Sequence, residues 1–387
     1  SSGATRTGTP ATGSNPQKGS RRSTAVKRIQ LGNTVFEGEN DVYLLDTDAT
    51  VLVDTGVAIP ETRAELQEGL AAHGLTFADI DAVFLTHWHP DHAGLAGEIQ
   101  AAGDADVFVH EADAPLVDGS ELHFGEDPDA QRRIFDRWGM PEAARDRLRE
   151  FYEAVGTGLR GQSPTVTTFV GGETFDAGGL SLEAVHLPGH TAGLSAFAFD
   201  PEELPDHEPV GRKERDASAD PTATAEAGTG TEAFTGDALL PRYTPNVGGA
   251  DVRVEDPLGK YADSLARIVE RDWDAAHPGH RERIDEPGHR AAEILDHHRH
   301  RTRRVLDVLA DGPATAWEVS AALFGDLEAI HILHGPGEAF AHLDHLAAAN
   351  VVERDGTAYR LVETAPDVDT LFPTTPLDDA IDATDDS

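Results

Sequence analysis

The run Thr86-His87-Trp88-His89-Pro90-Asp91-His92 puts four side chains able to ligate a metal into six consecutive positions. It follows Ala82-Val83-Phe84-Leu85, an apolar run that reads as a buried strand. It precedes Ala93-Gly94-Leu95, which opens a helix-like segment. A strand end that delivers His-x-His-x-Asp-His into a loop can hold two metals side by side. His87 and His89 are two apart and can share one metal, while Asp91 and His92 turn towards a second. Imidazole and carboxylate are borderline-hard ligands, so zinc is the expected ion and iron or manganese are compatible. Two such ions lower the pKa of a shared water and stabilise charge developing at a carbonyl carbon or a phosphorus. Asp91, beside that water, is the candidate catalytic residue and proton shuttle. No side-chain nucleophile is needed, and the chain has no cysteine, hence no disulfide and no thiolate ligand.

This pattern resembles the metallo-β-lactamase-fold hydrolase superfamily, over about residues 27–290. Its members follow the first motif with a distant His, a bridging Asp and a last His. Leu187-Pro188-Gly189-His190-Thr191, Phe234-Thr235-Gly236-Asp237-Ala238 and His277-Pro278-Gly279-His280 stand here in that order. The resemblance implies one metal on His87, His89 and His190, a second on Asp91, His92 and His280, and Asp237 bridging them. It also implies that Asp54, in Asp54-Thr55-Gly56, supports the ligand loop from behind. The implied fold is α/β, an αββα four-layer sandwich. One branch, glyoxalase-II-like or lactamase-like, adds a C-terminal winged helix. That branch follows the bridging Asp with Pro-Arg-x-Thr-Pro-Asn, matched by Pro241-Arg242-Tyr243-Thr244-Pro245-Asn246. A loop after the bridging ligand must border the metals, which makes Arg242, Tyr243 and Asn246 the candidate substrate contacts.

The elements that position these residues can be read in order. Residues 1–24, rich in Ser, Thr, Gly and Pro, read as a disordered tail. Val26-Lys27-Arg28-Ile29, Val35-Phe36, Val42-Tyr43-Leu44-Leu45 and Val51-Leu52-Val53 read as strands, and residues 61–72 as a helix. Residues 128–156 form an arginine-bearing helical insert, either a solvated hairpin or a lid over the metals. Residues 165–170, 180–186 and 196–199 are strands around the His190 loop. Residues 201–232 read as a disordered insert between two strands, within a catalytic domain of 25–290. His110 and His123 are assigned to core or surface rather than to a metal. So are His297, His298 and His300, on a solvated connecting segment.

A second domain is expected over 291–363. Residues 302–309 form its first helix, and Thr315-Ala316-Trp317-Glu318 is a capping box for the second. Residues 338–349 form the third, and Asp355-Gly356 turns a hairpin. Three helices and a hairpin make a winged helix. Residues 364–387 read as an acidic disordered tail.

With 31 basic and 70 acidic residues, the chain carries a formal net charge of -39. Such a lysine-poor, carboxylate-rich surface resembles proteins of extreme halophiles, where concentrated salt screens the repulsion. It argues against duplex nucleic acid as a partner. So does the third helix of the winged unit, which offers Glu338, His342, Asp344 and His345 but no Arg or Lys for phosphates or base edges. That unit reads as a packing or dimerisation module. No apolar stretch approaches membrane-spanning length. Arg21-Arg22 lacks the apolar region of a twin-arginine signal, so a cytoplasmic enzyme without a membrane partner is expected.

The leading functional expectation is a binuclear hydrolase in which a metal-bridging hydroxide attacks a small-molecule ester or thioester. One alternative is a lactamase-like endoribonuclease acting on single-stranded RNA. The other is a non-enzymatic, metal-stabilised regulator, which two open metal positions disfavour.

Overall fold

The structure, a computed structural model, describes residues 26–32, 38–155, 158–204, 230–362, 366–378 and 381. Two sheets face each other. The first has six strands in sequence order: β1 (Val26–Leu31), β2 (Asn40–Asp46), β3 (Thr50–Val53), β4 (Ala82–Phe84), β5 (Asp106–His110) and β6 (Val166–Phe169). Its first three strands pair antiparallel and β3 to β6 pair parallel. The second contains β7 (Thr174–Asp176), β8 (Ser181–His186), β9 (Ser195–Phe199), β10 (Glu232–Gly236) and β11 (Ala275–Pro278), in the order β11-β10-β9-β8-β7.

Side chains alternate across a strand, so a strand buried on both faces is apolar throughout. In β2, Tyr43 and Leu45 enter the core between the sheets with Phe84, Phe169, Phe197 and Phe234. Val42 and Leu44 point the other way, into a core with Leu66 and Leu70 of helix α1 (Pro60–Ala71). Two short segments follow, α2 (Pro90–Ala93) and α3 (Ala96–Gly103), and then α4 (Ala114–Val117). The insert is a helix pair, α5 (Pro128–Trp138) and α6 (Glu142–Val155). On the far side of the second sheet, α7 (Pro257–Arg271) packs Leu258, Tyr261, Leu265 and Ile268 onto Val185, Ala196 and Ala198. Helix α8 (Pro287–Ala310) adds Ala291, Ile294 and Leu295 to that layer. The result is the expected αββα sandwich.

Beyond it come β12 (Ala314–Thr315), α9 (Ala316–Phe324), α10 (His331–Ala348), β13 (Val352–Asp355) and β14 (Ala358–Leu361). Thr315 and Glu318 form the capping box read from the sequence. The helical insert is not simply solvated. Phe135, Trp138, Met140 and Leu148 share a core with Val305, Leu309, Val319, Phe340 and Leu346 of the C-terminal unit.

Four expectations need correction. Helix α8 runs unbroken through the boundary expected at 290/291 and through the segment read as a solvated connection. His297 and His300 are exposed on it, but His298 is fully buried. Helix α10 starts at His331, well before Glu338. Gly335-Pro336-Gly337 is poor helix sequence, which hid its first turns. The glycines have a different purpose. A Cβ on Gly337 would strike the backbone of Gly249, and one on Gly248 would lie 2.5 Å from the Gly337 carbonyl oxygen.

The acidic tail is ordered where it is described. Val368, Phe372 and Ile381 are buried in the core shared with α7 and α8, and His345 Nε2 donates to the Leu371 carbonyl at 2.8 Å. Apolar residues sparse among acids gave no periodic signal there. The fourth correction concerns Asn246 and is given with the metal centre. Residues 1–24, Val35-Phe36 and 205–229 of the expected insert lie outside the described residues.

Phe372 is 5% exposed, so Phe372→Ala should cost about 3 kcal/mol of stability. Denaturant unfolding would measure this, and a loss under about 0.5 kcal/mol, the range typical of surface substitutions, would mean the tail does not pack as described.

Candidate metal centre

Loops at one edge of the sandwich bring the ligand residues together. Strand β4 runs out at Phe84. Two residues on, Thr86 N donates to Asp54 Oδ1 at 2.8 Å across the gap from the end of β3. Asp54 has φ +61°, a left-handed conformation that Asp tolerates better than most residues. Its Oδ2 accepts from Thr86 Oγ1 and from His92 Nδ1, both at 2.8 Å. Pro90 starts α2 with the φ a first helical position needs, which places Asp91 and His92 in a single turn. His190 projects from the β8–β9 loop, Asp237 follows β10 and His280 follows β11. A Cβ on Gly279 would lie 2.5 Å from His92 Cε1 and 2.8 Å from Asp237 Oδ1, so this approach demands glycine.

In the first pocket, His89 Nδ1 lies 2.9 Å from His87 Nε2 and 3.0 Å from His190 Nε2. The other nitrogen of each ring is anchored. His89 Nε2 donates to the Ala250 carbonyl at 3.1 Å and His190 Nδ1 to the Asn246 carbonyl at 2.8 Å. His87 Nδ1 sits 3.0 Å from Thr86 Oγ1, whose own proton goes to Asp54, so His87 donates here. These bonds fix the tautomers from the partners. Three lone pairs are left facing one another. That arrangement is repulsive without a cation, and imidazoles anchored on one nitrogen are what a metal takes.

The second pocket repeats the pattern. His92 Nδ1 is anchored on Asp54, and His280 Nδ1 on the Glu39 carbonyl at 3.0 Å. Their Nε2 atoms turn inward and, like Asp237 Oδ1, are buried with no hydrogen-bond partner among the described residues. Asp237 Oδ1 is 3.5 Å from both His92 Nε2 and His280 Nε2. Asp237 Oδ2 is 3.6 Å from His190 Nε2, in the first pocket. Asp91 Oδ2 lies 3.5 Å from His280 Nε2 and accepts from Asn40 Nδ2 at 3.3 Å. His87, His89 and His190 therefore form one group able to hold an ion, and Asp91, His92 and His280 another.

Charge separates the pockets. Burial and the neighbouring His190 push His89 down to about 3, and burial with His92 and His89 holds His87 well below the ordinary imidazole range. Burial alone would lower His280, but Asp237 and Asp91 outweigh it and carry it up to about 10. Burial would raise Asp237, but the imidazoles of His280 and His92 hold it well below the usual carboxylate range. Without metal, the carboxylate-rich pocket is balanced by protons on imidazole, and the histidine-only pocket has no such balance. A cation in each removes both problems, so the donor set fits divalent ions.

Of the three candidate substrate contacts, Arg242 and Tyr243 are exposed. Arg242 Nε bonds Glu282 at 2.9 Å, and the Arg281 guanidinium lies 4.9 Å from the Tyr243 ring centre. Both partners directly follow His280, which puts Arg242 and Tyr243 on the rim of that loop. Asn246 differs from expectation. Its side chain is engaged by α10 and by its own loop, with Nδ2 donating to the His334 carbonyl and to Glu338 Oε2, both at 3.1 Å, and Oδ1 accepting from Gly249 N at 3.1 Å. Its backbone carbonyl, not its amide, serves the site.

The sequence reading also missed a brace behind the first pocket. Asp113 accepts from Thr191 Oγ1 and Gly193 N at 2.8 Å, and Asp251 accepts from Trp88 Nε1 at 3.3 Å and Ala192 N at 3.1 Å. Arg253 bridges the two carboxylates at 3.1 and 2.7 Å. Asp113 and Arg253 are 140 positions apart, so no local motif marks the brace.

Asp54 anchors His92 and the Thr86 peptide at once. Asp54→Asn, which keeps the left-handed backbone accessible, should weaken metal binding about 10–100-fold. Titration with Co(II) would read this, and wild-type affinity for both ions would remove Asp54 from the site.

The sequence profile of the metallo-beta-lactamase superfamily matches residues 35–202, and that of the metallo-beta-lactamase-like C-terminal domain matches residues 302–362. The "Probable metallo-hydrolase YqjP" of Bacillus subtilis (strain 168) is 28% identical over 340 residues, covering 84% of this chain and 93% of its own. An "Atrochrysone carboxyl ACP thioesterase" of Aspergillus fumigatus is 24% identical over 323 residues, covering 79% of this chain and 76% of its own. A solved metallo-beta-lactamase family protein from Thermus thermophilus superposes with a TM-score of 0.67 at 29% identity, covering 87% of this chain and 98% of its own. The anchored histidines, the two-faced Asp237, the αββα sandwich and these likenesses agree: the chain belongs to the metallo-β-lactamase superfamily and is a metal-dependent hydrolase on that fold.

Proposed function

We propose that this enzyme is a binuclear hydrolase of small-molecule esters or thioesters. The observation that carries the binuclear reading is Asp237, with one oxygen towards His190 and the other towards His92 and His280. His87, His89 and His190 would hold one ion and Asp91, His92 and His280 the other, with Asp237 bridging. Zinc suits this nitrogen–oxygen set best. Bound there, two divalent ions would lower the pKa of a shared water and polarise the acyl carbonyl. The chain's own part is to hold and move a proton. Asp91 Oδ2, kept in place by Asn40 Nδ2 and 3.5 Å from His280 Nε2, can accept the proton of the attacking water. It can then pass that proton to the leaving group. Arg242 and Tyr243, on the rim of the His280 loop, would meet the substrate.

A thioester is favoured over a phosphodiester by two observations. A relative over most of the chain is named an acyl-carrier-protein thioesterase. The C-terminal unit, which we read as a winged helix, uses its third helix for packing: Glu338 and His342 are buried against α8. That helix carries no Arg or Lys with which to hold a nucleic-acid backbone. With a charge of -39, the enzyme is read as a halophile-like protein of the cytoplasm, and its assays belong in molar salt.

The test is a screen of the metal-loaded protein in molar salt against acyl thioesters, lactones and labelled single-stranded RNA. Thioester or lactone hydrolysis is expected, with Asp91→Asn lowering kcat about 10²–10⁴-fold and KM changing far less. Asp237→Ala should lose both metals, whereas His280→Ala should mainly lose one. RNA cleavage without ester or thioester hydrolysis would replace this reading with the ribonuclease one.

A further inference from the structure

The C-terminal unit reaches the metal centre through one buried carboxylate. Glu338, on α10, is 4% exposed. Its Oε2 accepts from Asn246 Nδ2 at 3.1 Å and from Val247 N at 3.3 Å. Its Oε1 is ion-paired with Arg301 of α8. The Asn246 carbonyl accepts from His190 Nδ1 at 2.8 Å, and His190 Nε2 points into the first pocket. Further along the same loop, the Ala250 carbonyl anchors His89. Gly248 and Gly249 lie against α10, where any Cβ would meet the Gly337 carbonyl or the His334 backbone. The loop between the bridging Asp237 and α7 thus holds two first-pocket histidines by its carbonyls. Glu338 holds that loop.

The neighbouring His298, Glu338 and His342 are buried within ligand distance of one another and could be taken for another metal site. The Arg301 guanidinium already occupies the carboxylate oxygen nearest both imidazoles, and Thr302 Oγ1 engages His342 Nδ1 at 2.8 Å. A cation is therefore present, and the cluster is a buried polar network linking α8 to α10.

We propose that Glu338 is a positioning residue of the metal centre, acting through Asn246 and its carbonyl to fix the tautomer and direction of His190. This rests on His190 being a metal ligand. A carboxylate, an amide and a backbone carbonyl in series then act as the outer support that ligating histidines require. The helix carrying Glu338 belongs to the C-terminal unit, so the catalytic sandwich does not complete its own first pocket.

Titration of the full chain with Co(II), followed by visible absorbance, separates this inference from the reading beneath it. Wild type should take two equivalents; fewer would overturn the binuclear reading and this inference with it. Glu338→Ala should weaken one of the two ions by about 10–100-fold and leave the other unchanged. Glu338→Gln, which keeps an oxygen for Asn246 and Val247, should restore most of that affinity. If Glu338→Ala does not fold, Asn246→Ala carries the test. It removes the link but leaves Arg301 its carboxylate, and should weaken the same ion. Thr302→Val breaks a bond in the same buried network without touching the loop, and both affinities should stay normal. Folded Glu338→Ala or Asn246→Ala with wild-type affinity for both ions would overturn the proposal. So would an equal loss in Thr302→Val, which would mark the effect as general destabilisation.

Discussion

The structure depends on the burial of lone pairs against lone pairs. His87, His89 and His190 meet at about 3 Å with every inward nitrogen unprotonated, and Asp91, His92, Asp237 and His280 converge beside them. Leaving such groups unpaired in a dry interior costs several kcal/mol, so a fold that assembles them without a cation works against itself. Much of the surrounding architecture can be understood as holding these side chains in place. Asp54 sits in a left-handed conformation to reach Thr86 and His92. The Glu39 carbonyl at the start of β2 takes the far nitrogen of His280, and Gly279 vacates the space where His92 and Asp237 approach.

Support comes from three directions. The first sheet supplies Asp54 and the β2 end. The Asp113–Arg253–Asp251 brace ties the His87–His89 loop to the His190 loop and the 250–253 segment. The C-terminal unit supplies α10, against which Gly248 and Gly249, just before that segment, lie backbone to backbone. Helix α8 makes this last connection rigid, because one unbroken helix packs on the sandwich at its start and on the C-terminal core at its end. The described residues of the tail then pack into the core with α7 and α8. The units are joined by a shared helix rather than by a linker.

The parts legible in the sequence were those with local signals. The candidate ligands stand at strand ends within short motifs, so their order identified the family, and apolar runs such as that of β2 marked the strands. The capping box at Thr315 and the Asp355-Gly356 turn were visible for the same reason. The unread parts depend on distant partners or on exceptions to propensity. Glu338 meets Val247 across 91 positions, and Asp113 meets Gly193 across 80. Gly335-Pro336-Gly337 opposes helix on propensity and is helical because glycine lets the Gly248-Gly249 backbone close in. Asn246 was read as a substrate contact because of its place after Asp237. Only its fold context shows that the carbonyl faces the site and the amide faces α10.

The central claim, that the two pockets are completed by two ions sharing Asp237, is tested most directly by diffraction from zinc-loaded crystals recorded on both sides of the zinc absorption edge. The account predicts two anomalous peaks: one among His87, His89 and His190, and one among Asp91, His92 and His280, with Asp237 between them. A single peak at full metal loading, or a peak among His298, Glu338 and His342 with the first pocket vacant, would contradict it.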